Sequence, residues 1–107
     1  MRPKAIGFAA ILSLTTSGAA LAAPGPEAAC NALAEQARQA LVLKKQGLAL
    51  DRAITVLSSQ PVPDSVPAGQ ADFFRNHLPG AARFAYVAGM SSDGTAQYYL
   101  KQCLKGA

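Results

Sequence analysis

The chain carries two cysteines, Cys30 and Cys103, set near the two ends of everything that follows its first 22 residues. Joining them would tie the first structural element to the last, which constrains the fold more than any other feature. A lasting disulfide needs an oxidising compartment, and the N-terminus supplies the route to one. Met1-Arg2-Pro3-Lys4 is short and basic, and Ala5–Leu14 is apolar but too short to span a bilayer as a helix. Ala20-Leu21-Ala22 then matches a small-x-small cleavage pattern. Residues 1–22 are therefore expected to be a secretory signal peptide. Residues 23–107 are expected to form one domain, periplasmic or secreted, starting at Ala23 with no membrane span after cleavage. An uncleaved anchor is the rival reading, and the short, small-residue-rich run argues against it. Ala28-Ala29-Cys30 has the outline of a lipoprotein signal, but Glu27 stands where that signal needs an apolar residue. Pro24-Gly25-Pro26 also separates Cys30 from the apolar run.

Without the leader the charge argument changes. The whole chain has a formal charge of +4, and Arg2 and Lys4 leave with the leader, so the remaining eight basic and six acidic residues give +2. That is a solubility charge, not a nucleic-acid footprint. A domain of this length buries a modest core and is helped by a covalent staple.

Pro24-Gly25-Pro26-Glu27 suits a helix start, with Gly25 as N-cap, Pro26 at the first helical position and Glu27 at the positive end of the dipole. A helix is expected over 28–46. Cys30, Leu33, Ala34, Ala37, Ala40 and Leu41 share its apolar face, and Gly47 stops it. Lys44-Lys45 reads as a solvated helix end more readily than as an anion site. A second helix over 48–57 places Leu50, Ala53, Ile54 and Leu57 on one stripe, with Ala49 at a poorly capped start. Pro61, Pro63 and Pro67 make 58–67 a connector, since no basic-flanked P-x-x-P core marks it as a recognition segment.

A third helix is expected from Pro67 to about His77, with Phe73, Phe74 and Leu78 on its apolar side. Pro79-Gly80 is expected to break or kink the chain there. Ala81–Ala88 follows as a fourth segment carrying Phe84, and Gly89 ends it. Ser91-Ser92-Asp93 offers caps for a last helix to about Leu104, where Ala96, Tyr99, Leu100 and Cys103 form a stripe. A hairpin turning at Asp93-Gly94 within 83–102 is the alternative, because Tyr and Val favour strands. The expected fold class is all-α: a small bundle of four to five short helices closed by one disulfide.

Cys30 and Cys103 both fall on apolar stripes, so antiparallel first and last helices would bring them together. Two buried free thiols are the weaker alternative in an exported chain. No C-x-x-C exists, and a single histidine does not complete a zinc site, so neither a metal nor a cofactor is expected. His77 lacks an evident orienting acid or nucleophile and reads as a packing or surface residue, so no catalytic residue is assigned and an enzyme is not expected. Tyr98 and Tyr86 are left toward solvent as candidate partner contacts.

Cys30 in a first helix, the run Gly47-Leu48-Ala49-Leu50-Asp51-Arg52-Ala53-Ile54, Gly89-Met90-Ser91, and Tyr98-Tyr99 before Cys103 together resemble small exported bacterial two-cysteine helical proteins of uncharacterised function. Ala49 departs from the capping residue of that pattern. The resemblance implies a compartment and a fold. In size and cysteine number the chain is also similar to periplasmic acid-stress chaperones of the HdeA type. Two functions follow as expectations: a non-enzymatic binding protein of the cell envelope (an inhibitor, immunity-type or accessory factor) with a protein partner and no nucleic acid, or an acid-stress chaperone.

Overall fold

A computed structural model describes residues 25–106; the expected leader and the cleavage site at Ala23 lie outside the described residues. The described chain forms four α-helices: α1 (Glu27–Lys45), α2 (Leu50–Ser58), α3 (Ala71–Ala88) and α4 (Ser92–Gly106). A short 3-10 turn (Ala68–Gln70) leads into α3. No strand occurs among the described residues, so the hairpin alternative for 83–102 is overturned. The fold is all-α, as the periodicity predicts.

α1 is the centre of the bundle. Ala29, Cys30, Ala32, Leu33, Ala34, Gln36, Ala37, Ala40 and Leu41 are all buried. At 3.6 residues per turn they cover more than half of its circumference, wider than the single stripe expected. α3 and α4 pack on α1, while α2 lies mainly against α3. Small alanines along both helices, Ala37 and Ala40 of α1 and Ala81, Ala82 and Ala85 of α3, let α1 and α3 approach closely.

The ends are fixed by local chemistry. α1 is capped at Pro26, one residue later than expected, and its Ala29 N–H is taken by the Gln70 side chain at 2.9 Å. It closes in a Schellman motif: Gly47 N–H donates to Lys44 O and Leu48 N–H to Leu43 O, with Gly47 at φ +88°. α2 begins two residues later than expected, and Ala49 makes no side-chain cap. Gly89 ends α3 at φ +67°. Ser91 then caps α4, its Oγ accepting from Gly94 N–H at 3.0 Å and its carbonyl from Thr95 N–H at 2.8 Å.

Of the break or kink expected at Pro79-Gly80, the break does not occur: α3 runs as one helix through both residues. An interior proline costs about 3 kcal/mol through its missing N–H and its ring clash. Phe74, Leu78, Ala81, Ala82 and Ala85 nevertheless form one buried stripe spanning it. Splitting the helix would expose one half of that stripe, so burial outweighs the local penalty. The exposed flank of Arg75 leaves the orphaned carbonyl within reach of solvent.

Candidate functional site

The clasp sets the geometry of one end of the bundle. Cys30 and Cys103 are joined in a disulfide with Cα atoms 5.7 Å apart across 73 positions. Cys30 is fully buried, whereas Cys103 is half-buried on the inner edge of α4. With Arg38 of α1 reaching Asp93 at the start of α4, the bond makes α1 and α4 antiparallel, as the two stripes require.

Beside the disulfide, α3 and α4 leave an open furrow of about 250 Å³ lined by Phe73, His77, Tyr99, Gln102, Cys103 and Gly106. The spacing is what two facing helices produce. Phe73 and His77 are four residues apart on α3, while Tyr99, Gln102, Cys103 and Gly106 recur at three- and four-residue steps on α4. The His77 ring stacks on Phe73, with centroids 4.0 Å apart and planes 22° apart. His77 Nδ1 lies 2.8 Å from Phe73 O, and since a carbonyl only accepts, Nδ1 is the donor. The histidine is therefore an exposed, oriented rim residue, consistent with the surface role read from sequence.

Burial raises the Tyr99 hydroxyl above the usual tyrosine pKa. The furrow is smaller than the roughly 300–1,000 Å³ of an enclosing ligand pocket, and it is open along its length. It suits a side chain or a helix edge from a partner. A second shallow groove of about 240 Å³ runs between α1 and α2 past Val42 and Val56.

The two candidate tyrosines part ways. Tyr98 is exposed, and its ring stacks on Phe84 with centroids 5.6 Å apart. Tyr86 is only partly exposed, and its hydroxyl is engaged within the protein where a solvent-facing contact was expected. Its ring packs on the core, and its hydroxyl donates to Leu48 O at 2.7 Å, tying the α1–α2 turn to α3. Burial raises its pKa as well.

The sequence reading missed Phe73, Gln102 and Gly106 as site residues. Their signal is the pairing of an aromatic i, i+4 step with the Tyr99–Cys103 step, visible only once the disulfide sets the register. Among the described residues no three His, Cys, Asp or Glu side chains converge as a metal site would require. All six carboxylates are exposed. No family model, no curated protein and no solved structure matches this chain.

Proposed function

We propose that this chain is an exported, non-enzymatic binding protein of the cell envelope, cleaved after Ala22, whose protein partner seats on the α3–α4 furrow. The observation that carries the reading is the open aromatic floor of Phe73 and Tyr99 beside the disulfide. Apolar, half-exposed aromatics with a polar rim (His77 and Gln102 here) are the anatomy of a contact patch. The disulfide supports an oxidising compartment. No helix among the described residues is long and apolar enough to cross a membrane.

The test is photo-crosslinking from position 102 in envelope extracts, beside a His77→Asp/Gln102→Arg variant. A single crosslinked protein from the wild-type surface, lost in the variant, is the expected result. Crosslinking that is diffuse or indifferent to the variant overturns it.

The acid-chaperone alternative makes a different demand. Acid would have to open a bundle whose Phe74 and Leu78 are buried and whose first and last helices stay joined through Cys30–Cys103. Helical circular dichroism is accordingly expected to persist into acid without uptake of a hydrophobic dye. Loss of the signal at low pH with dye uptake would favour the chaperone.

A further inference from the structure

At the end of the bundle opposite the disulfide, α3 turns into α4 and the surface changes character. Val87 is 78% exposed on the last turn of α3, Met90 38% on the turn itself and Tyr98 46% on α4. Tyr98 stacks on Phe84, three residues before Val87, and Met90 and Tyr98 line one shallow depression with Lys101. Met90 also lies against Gly94, with its Cβ and sulfur at ordinary contact distance from where a side chain there would begin.

Cations surround this corner. Arg83 lies one turn before Val87 on the exposed flank of α3, Lys101 borders Tyr98, and the Lys44 ammonium is held on Tyr86 O at 2.7 Å, next to Val87. The nearest carboxylate in sequence, Asp93, is engaged by Arg38 toward α1. Glu27, Asp64 and Asp72 fall where α1 and α3 begin and in the connector after α2, and Glu35 pairs with Arg38; Asp51 opens α2 three residues after Leu48, at the corner's own end, followed by Arg52.

We infer that this corner, Val87, Met90 and Tyr98 ringed by Lys44, Arg83 and Lys101, is a docking surface for an anionic phospholipid bilayer. Protruding apolar side chains flanked by basic residues insert at the headgroup boundary, where Tyr sits well and Lys and Arg meet lipid phosphates. Three partly exposed side chains fall far short of the roughly 800 Å² per side of a stable protein interface. A bilayer needs no such area, because it accepts each side chain separately. Lys44, Lys45, Arg52, Arg83 and Lys101 outnumber Asp51 and Asp93 at this end, which favours turning the same corner toward a negative surface.

The test is vesicle sedimentation with the chain produced from its complete sequence, purified in the form the cell leaves it and identified by mass. Vesicles of phosphatidylcholine alone are compared with vesicles holding a third phosphatidylglycerol. Binding is expected only with the anionic lipid, weakening as salt rises. Arg83→Gln/Lys101→Gln should weaken it by about fivefold for each charge removed. Val87→Ser/Met90→Ser should weaken it at least tenfold, with the melting curve of either variant unchanged because all four side chains are exposed. Equal binding to both vesicle types, or binding indifferent to both variants, overturns the inference. So does a concentration-dependent dimer in lipid-free buffer that Val87→Ser/Met90→Ser abolishes, since it would assign the corner to a second copy.

Discussion

α3 and α4 both lie against α1, yet they are held by different means. α3 buries Phe74, Leu78 and three alanines in the core it shares with α1, α2 and the connector, enough to carry an interior proline. α4 buries only Thr95 and Ala96, while Tyr99, Leu100 and Cys103 stay half-exposed along the rest of its inner face. The disulfide stands where α4 has run out of apolar area. In a domain of this size a covalent link takes over from a core that cannot be extended. The contrast also accounts for the furrow: a helix pinned by a bond near its end need not close tightly on its other neighbour.

The two modes of attachment separate most clearly at the clasp. Cys103→Ser is expected to destabilise the fold by about 2–5 kcal/mol, Cys30→Ser by as much, and the double variant by scarcely more, because the partners act as one unit. Thermal melts with non-reducing mass analysis measure this, and single variants that melt like the wild type would put the organising role elsewhere. Amide exchange sharpens it, since α4 should loosen before α3. Next, Leu78→Ala should cost about 3 kcal/mol from lost burial and a cavity on the α1–α3 side. Its exchange should rise in α1 and α3 together, and an effect confined to α4 would erase the distinction.

Tyr86→Phe should cost about 1 kcal/mol by removing the donor to Leu48 O. It is read as a lower melting midpoint with faster exchange in the α1–α2 turn. Smallest is Gly80→Ala, expected to stabilise by about 0.5–1 kcal/mol, since Gly80 is helical and an added Cβ meets nothing within 4 Å. The same change at Gly89, held at φ +67°, should destabilise. A destabilising Gly80→Ala would mean that α3 needs its flexibility beside Pro79.

Much of this architecture is written locally in the chain. The face of α1, the Gly47 stop, the Ser91 cap and the α4 stripe follow from propensity and period, and two inward cysteines on terminal helices imply their pairing. Pro79 misleads because a local penalty competes with burial of Leu78 and Ala81 in a core built from distant parts of the chain, which no window around the proline contains. Tyr86 misleads for the same reason: its acceptor, Leu48 O, lies 38 positions back. The width of the α1 face becomes legible only when three neighbours are known to surround it. The furrow depends on the register of α3 against α4, which is set by the bond to α1 and by no pattern within either helix.

The clasp has a mechanical consequence. Everything between Cys30 and Cys103 lies inside one covalent loop, and only short stretches at either end of the described chain lie outside it. Tension applied to the two termini runs from α1 into α4 through the sulfur–sulfur bond and bypasses the packing altogether. Pulled from its ends, the oxidised domain should yield little more length than those stretches contribute, while the same pull on the reduced chain would draw out the whole bundle. Oxidation thus divides the molecule into a part that bears load and a part sheltered from it.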